Sequence, residues 1–369
     1  MIKIVKVDEQ IIRNFRDLVN SNSYFAYYKY SNVEGKNHWS CICSCMDWIQ
    51  LAVDHINNLK LNTININVFS MEVYSYISSI DIINESICQL HRVIVGNSTP
   101  FSKEKQIFKS KDYPVSDNDY FKHIRAIFGA HPVNIKGKGN SKWFASWPSD
   151  KIRRESFDFT VFLYSSEISE DSILFGFKFD ELNDFLFSRY NYLKVLSVNL
   201  MNNYDTFCNK MRNIEIPKSD NTITQIEILI EESKKRLDSD SDNYYLENLL
   251  TLFKAGSTLS SNNDLIRNYR LNLEKVVDEI KQNLQKMSFE NLISENILSP
   301  NYPDEIEYSL RTLLPILMGS DYRFDFNYHV ERIAEFLKEI ITIQQGMEFG
   351  ELLLLINTGL YFYWQNNVK

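Results

Sequence analysis

The sequence predicts a mainly α-helical protein with one small β-hairpin, arranged as an N-terminal helical bundle followed by a second all-helical domain. Apolar residues recur at three- and four-residue spacings over most of the 369 residues, which indicates helices. One aromatic and β-branched stretch interrupts this pattern and indicates strands. Only 11 Gly and 8 Pro are present, too few for a turn-dense all-β fold. The length exceeds the usual range of about 100–200 residues per domain, so more than one domain is expected.

The first part of the chain contains two predicted helices and a loop. Apolar residues of 45–59 share one helix face, and those of 73–94 continue the same period in a long helix. Gly96 and Pro100 then end this helix, because both residues disfavour helical continuation. The polar residues 97–120 predict a long loop.

The next stretch combines a short helix, a basic segment and the strand signal. Residues 121–128 have a helical face that stops before Pro132, since the residue preceding a proline avoids the α region. Residues 134–156 are basic and are predicted to be irregular. Residues 157–164 and 173–179 are rich in aromatic and β-branched side chains and predict a β-hairpin with a long loop.

The remaining chain is predicted to be helical. Asp180 is expected to cap a helix that extends through Leu200. Residues 266–287 and 330–341 are amphipathic, and the apolar residues 352–364 are too few for a membrane span of about 20 residues. We therefore expect a buried terminal helix. The predicted parts are a helical domain over 1–155, the hairpin with a long helix over 156–212, and a C-terminal helical domain over 213–369.

Charge is distributed unevenly in this acidic chain, whose net charge is −8. Residues 92–154 contain 13 Lys/Arg and 5 Asp/Glu, a local charge of 13 − 5 = +8, so the rest carries −16. A basic segment in an acidic protein favours binding of a polyanion, although a solvated lysine-rich loop has the same composition.

The N-terminal 15 residues are charged and lack the apolar core of a signal peptide, and five Cys do not make a disulfide framework. We expect a cytoplasmic protein with reduced thiols and no membrane segment.

Signatures of nucleotide-binding loops, serine hydrolases and zinc proteases are absent from the sequence. Four potential zinc ligands lie close together, but their spacing does not match a structural zinc site and no second ligand pair follows. We interpret the cysteines as small buried hydrophobes in a first helical turn. A zinc-stabilised adaptor remains a third hypothesis, and no metal or cofactor is predicted. The four residues are His38, Cys41, Cys43 and Cys45.

Arg125 and His131 are separated by five residues, inside the basic segment and directly before Pro132. A histidine with its ordinary pKa near 6.5 can accept or donate a proton at neutral pH. A guanidinium group can hold two phosphate oxygens and stabilise developing negative charge. RNA carries its own nucleophile, the 2′-OH, so these two residue types would suffice for metal-free cleavage.

This stretch resembles the Arg-x(4–6)-His signature of the HEPN superfamily, and the resemblance covers roughly residues 1–155. It implies a metal-independent endoribonuclease that pairs as a homodimer, such as a toxin or phage-defence effector. It also implies an acid or amide on the preceding helix, for which we select Glu85 from Asp81, Asn84, Glu85 and Cys88. Many active members have a polar residue after the arginine, where this chain has Ala126.

A non-catalytic helical module for RNA binding, sensing or protein interaction is the alternative. A second Arg–His pair, Arg323 and His329, lies among acidic residues and is discounted.

Alternating basic and aromatic residues in the basic segment predict a stacking surface for single-stranded nucleic acid. The alternative is that these aromatic side chains pack an irregular loop onto the hairpin. The C-terminal helical domain is predicted to bind a protein partner or regulator. The predicted RNA-binding residues are Lys122, Lys136, Lys138, Lys142, Trp143, Trp147, Arg153 and Arg154.

Overall fold

A computed structural model describes most of the chain, and its described residues form thirteen α-helices and a small antiparallel sheet. The mainly α prediction is therefore confirmed. The chain divides into two compact units, Met1–Asp205 and Thr206–Lys369. The described residues are 4–96, 100–109, 115–130, 135–136, 142–146, 157–236, 240–288, 292–319 and 325–367.

The first unit is built around the antiparallel pair of helices α3 and α4. Five α-helices precede the sheet and a sixth follows it; the division between the units falls within α6. The bounds are α1 Gln10–Ser21, α2 Ser23–Tyr30, α3 His38–Asn58, α4 Ile66–Ile94, α5 Asp117–Arg125 and α6 Phe179–Arg212, with a π-helical turn at Ala126–Ala130.

Helix α4 is the long helix that the sequence predicts, and its two ends have clear causes. The Asn65 side chain accepts hydrogen bonds from the backbone N–H groups of Asn67 and Val68, which caps the first turn. Apolar residues from Val73 to Ile94 are buried along one side. The helix ends before Gly96, whose φ of 134° lies in a region that glycine alone enters easily.

The start of α5 lies inside the stretch predicted as a loop, so that prediction is wrong for residues 117–120. Ser116 caps the helix by accepting a hydrogen bond from the N–H of Asp119. The buried Asp117 carboxylate accepts N–H hydrogen bonds from Ile107 and Phe108. The preceding loop is thereby attached to the first turn of α5.

The sheet has four strands in the order β1-β2-β3-β4, and every neighbouring pair is antiparallel. The predicted hairpin is confirmed as β3 and β4. The expectation of an irregular stretch over 134–156 is wrong for the described residues of β1 and β2. A two-residue strand has no detectable period, and β2 gains its conformation from pairing with β3. The strands are β1 Ile135–Lys136, β2 Lys142–Ala145, β3 Phe159–Ser165 and β4 Ile173–Phe177.

The first turn of α6 is capped differently from the prediction. The Asp158 carboxylate accepts a hydrogen bond from the backbone N–H of Phe179, 2.9 Å away. Asp180 lies within the first helical turn, where its negative charge suits the helix dipole. Asp158 precedes the hairpin in sequence and reaches the helix start because β3 and β4 bring the two together.

The second unit contains the seven remaining helices, which pack around α13. Residues Leu352–Leu360 of α13 are buried, which confirms the predicted terminal helix. Asn357 and Thr358 donate to carbonyl oxygens one turn earlier, so these polar groups are satisfied inside the core. No helix among the described residues combines the length and apolarity that crossing a membrane requires. The helices are α7 Thr222–Arg236, α8 Asp240–Lys254, α9 Asn263–Lys286, α10 Glu295–Leu298, α11 Glu307–Leu317, α12 Phe326–Leu337 and α13 Phe349–Asn367.

Arg236 is a buried cation that joins three parts of the second unit. Its Nη1 and Nη2 atoms donate to the carbonyl oxygens of Met211 and Ile214, each at 2.8 Å. Its Nε donates to Glu232 at 3.0 Å. Lys235 forms an ion pair with the same glutamate, but 63% of its side chain is exposed.

Replacement of Arg236 by alanine should lower the free energy of unfolding by about 3–5 kcal/mol, because two carbonyls lose their donor and the Glu232 carboxylate keeps only the exposed Lys235. Lys235→Ala is the matched control, and its effect should stay within about 0.5 kcal/mol. Urea unfolding followed by circular dichroism measures both. Equal losses in the two variants would contradict the role assigned to Arg236.

Candidate functional site

Arg125 is the last residue of α5, and its guanidinium is oriented by a carboxylate of α4. Nε of Arg125 lies 2.9 Å from Oδ2 of Asp81. The Asp81 side chain is 13% exposed, whereas that of Arg125 is 46% exposed. The Asp81 carboxylate therefore holds the guanidinium of an arginine whose side chain stays partly exposed to solvent.

The π-helical turn Ala126–Ala130 follows Arg125 directly. The N–H of Ala126 still hydrogen-bonds to the carbonyls of Lys122 and His123, four and three residues earlier, and the π winding comes after these bonds. Ile127 and Phe128 are buried and anchor the turn. Single π turns in helices occur frequently at functional sites because they alter the direction of neighbouring side chains.

His131 follows this turn but lies outside the described residues. The spatial relation between Arg125 and His131 therefore stays a prediction. The winding between them includes the π turn, so the rotation of a regular α-helix does not apply to this pair.

Asp81 carries a carboxylate in an unfavourable environment. Burial raises its pKa above the usual value and the Glu85 carboxylate adds to this, whereas Arg125 and Lys122 oppose it. Oδ1 of Asp81 and Oδ1 of Asn84 are buried, and neither has a hydrogen-bond partner among the described residues. An unpaired buried acceptor costs free energy, so α4 holds these groups at the expense of stability.

The acidic partner of Arg125 differs from the residue that we selected. Glu85 is exposed one turn after Asp81 and forms no ion pair with Arg125. Asp81 and Glu85 are one turn apart on the same face of α4, so the sequence has no signal that distinguishes them; Asp81 is the one that lies against the end of α5. Glu85 contributes through its charge, which raises the pKa values of Asp81 and Cys88.

Two other histidines near this site have packing roles. His91 is 5% exposed, and its Nδ1 lies 2.9 Å from the Tyr192 hydroxyl. The ring of His123 contacts Phe175 with centroids 5.5 Å apart, and burial lowers the pKa of His123. Both side chains therefore fit a structural role better than proton transfer to a solvent-exposed phosphate.

The predicted RNA-binding residues fall into two described groups and a third outside the description. Lys122 is exposed on α5 next to Arg125, and Lys142 is exposed on β2 beside the half-buried Trp143. No hydrogen bond or ion pair connects these two groups within the described part of the chain. Lys136 has a described backbone position in β1. Lys138, Trp147, Arg153 and Arg154 lie outside the described residues.

The four potential zinc ligands lie in the first two turns of α3. Cys45 is buried, and its pKa is raised to about 12 by burial and by the neighbouring Cys41. Burial also raises the pKa of Cys43. Across the described ranges, no group of three His, Cys, Asp or Glu residues is placed to hold a metal ion. Cys45 therefore fits the interpretation as a small buried apolar group, whereas Cys41 and Cys43 are only partly buried.

The discounted second Arg–His pair contains a structural histidine. His329 is 1% exposed, with Nδ1 3.2 Å from the Ser309 hydroxyl and Nε2 3.2 Å from Asp325. Arg323 lies outside the described residues. A buried histidine with both nitrogens occupied does not suit phosphate chemistry.

Comparison with known proteins supplies no relative for this chain. No family model, no curated protein and no solved structure matches it. The HEPN resemblance therefore depends on the residues around Arg125 and His131 and on their helical context.

Asp81→Asn should raise the free energy of unfolding at pH 7, by an amount on the order of 1 kcal/mol. The substitution removes a buried charge, and Arg125 keeps access to water. Because the folded-state pKa of Asp81 is raised above 3.8, the wild type loses stability as pH rises between the unfolded and folded values. The gain of the variant should therefore disappear below that range.

Urea unfolding at a series of pH values tests this expectation. Asp47→Asn is the control, because it removes a carboxylate that is 70% exposed from an ion pair with Arg16. Its effect should stay within about 0.5 kcal/mol at every pH. A less stable Asp81→Asn variant at pH 7 would mean that the ion pair stabilises the fold.

Proposed function

We propose that this protein is a metal-independent endoribonuclease of HEPN type that acts in the cytoplasm as a toxin or phage-defence effector. The observation that supports this proposal most directly is the state of Arg125. Its Nε is held by Asp81, and its side chain is 46% exposed at the entrance to the turn that leads to His131. A guanidinium oriented in this way is prepared to bind a phosphate group.

The proposed reaction uses the 2′-OH of RNA as nucleophile. His131 accepts the proton of this hydroxyl as the oxygen attacks the adjacent phosphorus, and the bond to the 5′-oxygen of the next nucleotide breaks. A histidine donates the proton that the leaving oxygen requires. Arg125 binds the phosphate oxygens and stabilises their charge in the transition state. The products are a 2′,3′-cyclic phosphate and a free 5′-hydroxyl.

Asp81 acts as a positioning residue in this proposal, because it contacts Arg125 and not the RNA. A homodimer would place two Arg125–His131 pairs about one symmetry axis. One protomer could then supply the base and its partner the acid. This arrangement removes the need for both roles to be filled by one histidine.

A non-catalytic RNA-binding, sensing or protein-interaction module is the second candidate. The residue that favours it is Ala126, the first residue of the π turn. Many active HEPN proteins have a polar side chain directly after the arginine, where this chain has this alanine. A methyl group cannot donate a hydrogen bond to a phosphate. In this case Arg125 would bind RNA without a complete cleavage site.

Purified protein should cleave cellular RNA in the presence of EDTA and leave 2′,3′-cyclic phosphate ends. His131→Ala should lower the cleavage rate by about 10²–10⁴-fold, the usual effect of losing a general acid or base. Arg125→Ala should reduce both RNA affinity and turnover. Arg125→Lys should recover little of either, because lysine cannot bind two phosphate oxygens in the bidentate geometry of arginine. Gel analysis of the RNA and mapping of its ends provide the readout.

Two variants serve as matched controls. His38→Ala removes a histidine from the start of α3, and Arg267→Ala removes an arginine that is 73% exposed in the second unit. Both should cleave as the wild type does. Cleavage that EDTA abolishes, or that persists in His131→Ala, rules out the mechanism. RNA binding without cleavage by the wild type favours the second candidate.

A further inference from the structure

The two faces of the sheet have different surroundings. Phe159 of β3 is buried against the helical layer, with its ring centroid 5.6 Å from that of Phe69 and 5.4 Å from that of Phe128. Side chains alternate between faces along a strand, so Phe162 and Tyr164 lie on the opposite side. We call this side, which points away from the helices, the outer face.

Three aromatic side chains share the outer face. Phe144 of β2 is paired directly with Tyr164 of β3, and directly paired residues share a face. The rings of Phe162 and Tyr164 have centroids 6.4 Å apart and planes inclined by 27°. Tyr164 is 50% exposed, and Phe144 and Phe162 are half-buried. These rings therefore form an accessible apolar surface outside the core.

The exposed part of the outer face ends at Gly176. Gly176 of β4 is buried, and a Cβ atom there would lie 2.6 Å from Cγ2 of Thr160 and 2.8 Å from Cγ of Phe157. Thr160 and Phe157 thus close over the glycine. The accessible aromatic surface is confined to the half of the sheet that contains Tyr164.

A lysine of β2 adjoins the aromatic surface. Lys142 lies two residues before Phe144 on the same face, and its side chain is exposed. Its backbone is paired in register with that of Lys136 of β1. Both lysines belong to the segment 92–154, whose net charge is +8. The composition therefore matches a ligand that carries negative charge and flat apolar rings.

We infer that the outer face binds single-stranded RNA, with bases stacked on Phe144, Phe162 and Tyr164 and phosphates beside Lys142. Base stacking on aromatic side chains next to a basic groove is the usual mode of single-strand binding. A duplex keeps its base faces stacked internally and cannot use these rings. The inference rests on the proposal that RNA is the substrate, and it assigns a binding surface for that RNA.

The residues of this proposed surface differ from those chosen from the sequence motif. Trp143 is paired with Ser165, and both lie on the face opposite to Phe144 and Tyr164. The neighbouring residue Phe144 takes the role that the motif assigned to Trp143. Phe162 and Tyr164 belong to the hairpin, which the sequence linked only to structure.

The outer face points away from the helical layer that carries Arg125, so it would hold RNA without contacting the scissile phosphate. Binding energy that is equal in ground state and transition state changes KM and leaves kcat unchanged. Loss of a ring should therefore raise KM for long RNA. Cleavage of a dinucleotide, which is too short to reach both surfaces, should not change.

The experiment measures binding of a fluorescent 12-nucleotide 2′-O-methyl oligouridine by anisotropy. Methylation blocks the nucleophile, so binding is observed without cleavage. Tyr164→Leu and Phe162→Leu keep apolar volume and remove the ring, and each should weaken binding by about 5- to 150-fold. Tyr164→Phe should bind as the wild type does. Tyr28→Leu, which changes a tyrosine that is 56% exposed on α2, is the control.

Charge is tested with Lys142→Gln, which should reduce the slope of log K against log salt concentration by about 0.7. Circular dichroism spectra and melting temperatures verify that every variant is folded. Equal affinity of the two leucine variants and the wild type overturns the inference, as does equal affinity for a duplex of the same length.

The outcomes separate this inference from the proposed nuclease. Ring-dependent binding of the methylated oligonucleotide without cleavage of unmodified RNA supports the stacking surface and contradicts the nuclease proposal. Metal-free cleavage with normal binding by Tyr164→Leu and Phe162→Leu supports the nuclease proposal and contradicts the stacking surface. Absence of oligonucleotide binding by the wild type also contradicts the stacking surface.

Discussion

Arg189 of α6 is fully buried, and its guanidinium lies between the rings of Phe101 and Phe185, 3.9 and 4.2 Å from their centroids. It forms an ion pair with Glu104 and donates a 2.8 Å hydrogen bond to Asn118 in the first turn of α5. One cation thus connects α6, the loop before α5 and α5 itself. A desolvated charge tolerates few alternative positions, since each would leave it unpaired. The placement of α5, and with it Arg125, depends on this contact.

The same layer contains polar groups that do not stabilise the fold. Asp81 and Asn84 each have a buried oxygen without a partner in the described chain, and burial raises the pKa of Asp81. Arg189 is satisfied by several partners, although its Nε lacks one among the same residues. Residues that a fold retains at a cost in stability are commonly the ones used for binding or chemistry. The side of α4 that faces α5 has this character.

Strong periodic patterns predicted the large elements of this fold. Helix α4 presents a long helical repeat of apolar residues on one face, and the β3–β4 hairpin and helix α13 each contain a run of apolar and aromatic residues long enough to identify a buried element. The helix that carries Arg125 was predicted in the same way, from the apolar face that it buries. These features depend on local sequence and on burial.

Other features arise from tertiary contacts that the sequence does not display. Strand β1 has two residues, and the π turn after Arg125 has no sequence signature. The choice between Asp81 and Glu85 depended on how α5 crosses α4. Trp143 and Phe144 are neighbours in β2, and neighbouring side chains in a strand point to opposite faces of the sheet. Pairing with β3, which settles the face, is a long-range property.

Gly176 has a consequence for the selectivity of the proposed RNA-binding face. Because Thr160 and Phe157 close over it, the accessible half of the outer face has room for only a few ring-sized groups. A footprint this small offers few hydrogen-bonding groups with which to read the edges of individual bases. Discrimination between RNA molecules would then depend on whether their nucleotides are unpaired and accessible. The secondary structure of a transcript, more than its base sequence, would decide whether it is bound.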